Sequence, residues 1–355
     1  MTQRRLNALL VAMLAVTACV AIVAGAREAA ARVVVDSAGR RVEVPDIVAR
    51  VMAAGPPASV ALYTLAPDKL VGWIRAFSPE EREFLAPAYA DLPAHGRLTG
   101  RGSTASIETV IALRPDVIVD VGNVDPTYAS LADRVQEQTG IPYVLIDGTL
   151  LNTPATYRQL GTIIGAQPRA EELAAYSERV LQDVQEGLAG LPAEQRPRVY
   201  YGRGPEGLET GLAGSINLEV LEAVGAVNVA AAAGDGGLAV VSMEQILSWN
   251  PAVILTLDET FYRSVVGDPL WQGIDAIQAR RVYRAPSLPW GWFDSPPGAN
   301  RLIGVRWLAS LLYPDRFPDD LRAATQDFYR TFYHVEISAQ QADRLLRDAT
   351  AAPEP

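Results

Sequence analysis

SIETVIALRPDVIVD (Ser106–Asp120) and SMEQILSWNPAVILT (Ser242–Thr256) match in register at Ser, Glu, Pro, Val and Ile. Each stretch opens with a serine and carries a glutamate two residues later, Glu108 or Glu244, then ends its helical spacing at a proline. An apolar β run follows in both. A serine N-cap with an acid in the first turn starts a helix, and a proline ends it. The unit occurs once in each half of the chain, which predicts two structurally equivalent lobes and not a solenoid.

The flanking sequence fits that reading. VVVDSAGRRVEVP reads as a hairpin about a Ser-Ala-Gly-Arg turn. RVMAAGPP is a short strand running into a Gly-Pro-Pro loop, and IPYVLIDG is another strand. Strands alternating with helices predict a mostly parallel sheet covered on both faces. From Thr153 to Leu191 the strand signal stops, while Leu173, Tyr176, Val180, Leu181 and Val184 recur at helical spacing. A helix of about 22 residues would span roughly 33 Å, long enough to join two lobes. RVYYGRG, AVILTLD and RRVYRAPS then resume the alternation. The expected architecture is α/β: two Rossmann-like lobes bridged by one long α-helix, with a ligand cleft between them. The expected division is a signal peptide over 1–31, an N-terminal lobe over 32–165, the bridging helix over 166–191, and a C-terminal lobe with tail helices over 192–355.

A chain of 355 residues, 49% of them hydrophobic, exceeds the size of a single core. A net charge of −10 argues against a nucleic-acid partner, since a polyanion would be repelled. MTQRR followed by LNALLVAMLAVTACVAIVAGA reads as a basic start and an apolar core of an export signal. Cys19 is the single cysteine and sits inside that segment. The exported chain would therefore have no disulfide. VTAC also fits a lipid-attachment motif loosely, so Cys19 is a candidate lipoprotein site.

Enzyme signatures are weak. GRGPEG matches G-x-G-x-x-G at Gly202, Gly204 and Gly207, but LETGLAGS after it does not open a helix. A nucleotide-dependent enzyme is therefore the distant alternative. Arg203 within that loop suits an anionic group. The two histidines, His95 and His334, stand in unlike contexts and fit no zinc-hydrolase spacing. No directly held metal, catalytic residue or cofactor is expected.

The order of VVVDSAGRRVEVP with RVMAAGP, TASIETVIALRPDVIV, GAQPRAEELAAYSERVLQDV and VVSMEQILSWNPAVILT resembles the substrate-binding proteins of bacterial ABC importers for ferric siderophores, haem and cobalamin. The resemblance runs over essentially the whole chain beyond the export signal. It implies a periplasmic, monomeric, non-catalytic binding protein that delivers its ligand to a permease dimer in the inner membrane. It also implies that Glu108 and Glu244, one per lobe, dock to arginines of the two permease subunits. In open α/β sheets ligands bind beyond the carboxyl ends of the strands. Pro56, Gly122, Asn123, Arg203, Asp258, Trp290, Trp292 and Phe293 fall on such loops, with Arg101 bordering and Trp73 opposite. Two arginines and several aromatics point to an anionic, partly apolar metal chelate as ligand. A molybdate or tungstate oxyanion is the alternative, because PWGWFDSPPGANRLIGVRWLASLLYP and FYRTFYHVEIS resemble a branch of varied cargo.

Overall fold

The computed structural model describes residues 30–100, 102–351 and 353. Residues 1–29 of the expected export signal, Cys19 among them, and Arg101 lie outside the described residues, while Ala30 and Ala31, the last two of that expected segment, are described. The chain opens with an antiparallel hairpin of β1 (Ala31–Val35) and β2 (Arg41–Pro45), turned at Gly39 with φ of 77°. Next come β3 (Val51–Ala53), β4 (Val117–Gly122) and β5 (Tyr143–Asp147), a parallel sheet in the order β3-β4-β5. The second half supplies β6 (Arg198–Gly202), β7 (Glu209–Gly211), β8 (Val227–Asn228), β9 (Leu238–Val240), β10 (Val253–Thr256) and β11 (Val282–Arg284). Four of these form a second parallel sheet, β11-β10-β6-β8, while β7 and β9 pair antiparallel. β10 is buried along its whole length and β4 along all but its last residue, as expected of strands covered on both faces.

The duplicated unit folds the same way twice. Ser106 Oγ accepts from Thr109 N at 3.2 Å to start helix Ile107–Leu113, and Ser242 Oγ accepts from Gln245 N at 3.3 Å to start helix Met243–Trp249. Both helices end on a non-glycine left-handed residue, Arg114 (φ 46°) and Asn250 (φ 42°). The proline then turns each chain into its strand, so each helix runs antiparallel to the strand that follows it. Each glutamate thus sits at the end of its lobe where the strands finish.

A 21-residue helix, Gln167–Gly187, connects the two sheets in the chain. It buries Leu173, Tyr176, Val180 and Val184, packing on helix Thr153–Ile164 from the first half and helix Arg301–Leu312 from the second. One continuous apolar core runs from Val119 and Val144 of the first sheet to Val199 and Val253 of the second. A polar tie reinforces it: Arg301, 1% exposed, donates to the Gly148 carbonyl at 2.6 Å and pairs with Glu219. Glu219 in turn accepts from Leu150 N at 2.8 Å. Gly148 must be glycine here, since a Cβ would lie 2.6 Å from the backbone nitrogen of Gly122.

The tail helix Leu321–Tyr333 returns from the second half to the first. It places Phe328, Phe332 and Tyr333 against Tyr63, Tyr157, Tyr176 and Trp290, and Tyr329 against Phe84. Tyr63 Oη donates to the Tyr333 carbonyl, and His334 reaches the Tyr63 carbonyl at 3.1 Å. His334 thus serves packing and capping.

Candidate functional site: an arginine-lined cleft between the sheets

The carboxyl ends of β4 and β6 open onto a cleft of about 560 Å³ lined from both halves of the chain. β4 contributes Asp120, Val121 and Gly122, with Asn123 following. Helix Pro56–Leu65 points its first turn inward, but Pro56 and Pro57 remove two of the amide donors a helix start would offer an anion. The polar wall therefore comes from side chains: Arg75, Arg97, Thr99, Arg203 and Asn217.

Each arginine is anchored. Arg75 forms a forked pair with Glu81, at 2.9 Å from Nη1 and 2.5 Å from Nη2, and lies over the Phe77 ring at 4.8 Å. Arg97 donates from Nε to the Gly102 carbonyl at 3.0 Å. Arg203 Nη1 stands 2.8 Å from Asp294 Oδ2, and its Nε is 3.5 Å from Glu209. The Nη1 contact is at ion-pair distance, and the atom is buried with no hydrogen bond among the described residues. Asp294 is itself held by Tyr201 Oη at 2.7 Å and Asn217 Nδ2 at 3.0 Å. Burial pushes its carboxyl up from the ordinary value, and Arg203 is the strongest influence pulling it back.

Asp120 is held differently. It accepts from Thr99 Oγ1 and Tyr143 Oη, each at 3.1 Å, and has no cationic partner among the described residues. Burial pushes its carboxyl up to about 6. Thr99 is fixed in turn by Gly55, where a Cβ would meet its Oγ1 at 2.3 Å.

Of the residues singled out from sequence, Pro56, Gly122, Asn123, Arg203 and Trp290 line this cleft. Four others lie elsewhere. Trp73 is 1% exposed; it meets Trp290 at 6.2 Å between ring centroids, but inside the core, with its Nε1 donating to the Tyr89 carbonyl at 2.8 Å. Trp292 and Phe293 are fully buried, the first against Tyr329 and the second 4.3 Å from the Tyr201 ring. Their partners come from the tail helix and from β6, and packing there removes them from solvent. Asp258 caps helix Glu259–Ser264, accepting from Phe261 N at 3.0 Å. The GRGPEG loop turns β6 back toward β7, with Arg203 N donating to the Glu209 carbonyl at 2.8 Å, and opens no helix. Glu108 and Glu244 are fully exposed, and the N–H groups of their own helices lower both carboxyls.

Sequence reasoning missed Asp120, Asp294, Arg75, Arg97 and Thr99. Asp120 carried a signal, as the one charged side chain in the apolar run VIVDV. Arg75 and Arg97 sit in a long irregular stretch whose spacing carries none.

Two α/β halves thus face one cleft that both of them line. The profile of the periplasmic binding protein family matches residues 64–288, and the chain belongs to that family. It is 29% identical to the molybdate-binding protein MolA of Haemophilus influenzae over 343 residues, 88% of this chain and 94% of that one. The structure of MolA bound to molybdate superposes with a TM-score of 0.70 over 86% of this chain and 99% of the other, at 26% identity. An ABC transporter solute binding protein from Sulfurospirillum deleyianum gives 0.79 over 89% and 99%, at 28% identity. The Fe(3+) dicitrate-binding periplasmic protein FecB of Escherichia coli is 28% identical over 63% of this chain and 71% of its own length. Among the described residues no helix is long and apolar enough to cross a membrane, and no cluster of three or more His, Cys, Asp or Glu could hold a metal.

Proposed function

We propose that this chain captures a tetrahedral oxyanion of the molybdate class outside the cytoplasm and hands it to an ABC permease dimer. The observation that carries the reading is the make-up of the cleft wall. Arg75, Arg97 and Arg203 stand there with neutral donors and two buried aspartates, Asp120 and Asp294, while Trp73, Trp292 and Phe293, the aromatics that favour an apolar chelate, are core residues. Guanidinium groups bind multi-oxygen anions with charge-assisted, forked hydrogen bonds, and do so without the amide donors that Pro56 and Pro57 remove. The near full-length similarity to a molybdate-binding protein supports the same class.

An anionic metal chelate is the second reading, favoured by the cleft volume of about 560 Å³, which is in the range of sites for drug-sized ligands. Phe77, Trp290 and Pro296 would give such a ligand apolar contact. Calorimetric titration of the purified chain with sodium molybdate and with ferric citrate separates the two. Saturable binding of molybdate at one per chain, with none of ferric citrate, is the expected result; the reverse overturns it.

Delivery rests on the duplicated glutamates. Glu108 and Glu244 stay ionised, exposed and matched, at the ends of their lobes nearest the cleft. Three residues on, each helix exposes an aliphatic side chain, Ile111 (49%) and Leu247 (40%). Two like patches of acid and aliphatic side chain suit a two-fold partner with basic groups beside apolar ones. In this reading the chain acts as an exported periplasmic monomer, with lipid attachment at Cys19 the alternative to cleavage of the signal.

A further inference from the structure

Asp120 faces an arginine-lined cleft, is 5% exposed, and has no ion pair among the described residues. Among the described residues, no neighbouring element pairs a cation with it. β5 offers Tyr143, whose hydroxyl donates to Oδ2 at 3.1 Å. Behind it, Arg40 reaches the Tyr143 carbonyl at 3.1 Å but is paired with Asp36 at 2.8 Å. The loop before Gly100 offers Thr99 to Oδ1, and its Arg97 Nε goes to the Gly102 carbonyl. Helix Pro126–Thr139 offers Tyr128 and its capping Asp125, which adds negative charge. β3 and helix Pro56–Leu65 offer no ionisable side chain apart from the buried Tyr63. Across the cleft Arg203 is engaged by Asp294.

A buried carboxylate with only neutral donors around it repels any anion that enters beside it. Protonated, the same group becomes an O–H donor to that anion. We propose that Asp120 is the proton site of this cleft: the oxyanion binds together with one proton, which Asp120 takes up from water and holds as a neutral acid. This rests on the oxyanion reading above. The balance is simple: carboxylate, oxyanion and one proton give a carboxylic acid hydrogen-bonded to the bound oxyanion, and no other bond changes. The cost of protonation is small, because burial has already raised the carboxyl to about 6 before any ligand arrives. An adjacent anion raises it further. The bound value then exceeds the free one, so binding takes up a proton and affinity grows as pH falls through the interval between them.

The test is calorimetric titration of the whole chain with sodium molybdate near neutral pH, in two buffers of different ionisation enthalpy. Expected is an uptake approaching one proton per anion, with affinity weakening by up to about tenfold per pH unit above pH ~7. Asp120→Asn, a neutral isostere, should remove the uptake, flatten the profile and bind more tightly than the wild type at alkaline pH. Wild-type binding with no proton exchange overturns the proposal. So does an unchanged slope in Asp120→Asn. The two-buffer comparison on wild type decides the matter even if the variant misfolds. Absence of molybdate binding at every pH overturns both the oxyanion reading and the proton site, whereas pH-independent binding overturns the proton site alone.

Discussion

Each half of the molecule brings one buried aspartate to the cleft, and the two are treated in opposite ways. Asp294 is enclosed by Arg203, Tyr201 and Asn217, so two arginines, Arg203 and Arg301, act on its charge. Among the described residues, Asp120 receives only Thr99, Tyr143 and a backbone N–H. Burial raises both carboxyls, but only at Asp294 does a cation oppose it. One fold, repeated, thus supplies a fixed wall on one side and a titratable wall on the other. Asp294 orients an arginine, and Asp120 is left to respond to what enters.

The largest effect that could break this contrast is on stability. Asp294→Ala leaves Arg203, Tyr201 and Asn217 facing a void, and breaking a buried pair on one side costs about 3 kcal/mol, somewhat less where the arginine is partly exposed as here. Urea denaturation should show that loss at neutral pH. A loss no greater than that of Asp120→Ala would erase the distinction between the two walls.

Next in size is delivery, where the two halves should act alike. Charge reversal of both acids, Glu108→Arg with Glu244→Arg, should lower molybdate uptake by whole cells at least about tenfold, as like charges meet across the interface. The affinity of the purified protein for molybdate should not change, because both side chains are outside the cleft. Ile111→Ser with Leu247→Ser should give a smaller loss of uptake with the acids intact. Equal uptake by all variants would mean the duplicated units do not face a partner.

A further effect on stability, on the order of 2–3 kcal/mol for a shift of the size at Asp120, separates the two aspartates by its sign. A carboxyl raised from 3.8 to about 6 on folding binds its proton more tightly in the native state. Stability therefore falls as pH rises through that window and stays at the lower level above it. Asp120→Asn removes this contribution. It should be more stable than the wild type at pH ~7 and indistinguishable at pH ~4, measured by urea denaturation at both. A wild type more stable than the variant at neutral pH would show that the carboxylate is compensated by something other than Thr99 and Tyr143.

Much of the fold was legible because it is local. Ser106, Glu108 and Pro115, with Ser242, Glu244 and Pro251, specify helix, stop and strand within fifteen residues, and the structure forms both units. The long helix was legible through Leu173, Tyr176, Val180 and Val184 on one face. The cleft was legible only through backbone: Pro56 and Arg203 follow strands, Gly122 ends one, and strand ends fix where loops go. Side-chain destinations were not. Trp292 is buried because Tyr329, 37 residues later, covers it, and no short window of PWGWFD contains that partner. Arg301 resembles any helical arginine until Gly148 and Glu219 are brought to it from elsewhere in the chain.

The smallest expected effect concerns motion of one wall against the other. The halves share an apolar core, the helix Gln167–Gly187 packs on both, and the Arg301 tie joins Gly148 and Leu150 to Glu219. Separating the halves would expose apolar area and strand a buried guanidinium, at a cost of several kcal/mol. Anion binding cannot offset that beyond its differential affinity for the two states. Small-angle scattering of the chain with and without saturating molybdate should therefore give superimposable profiles. Asp120 would then meet the anion by changing protonation, with the wall itself staying in place. A large compaction on binding would instead mean that the cleft closes around its ligand, so that Asp120 becomes buried further and paired only in the closed state.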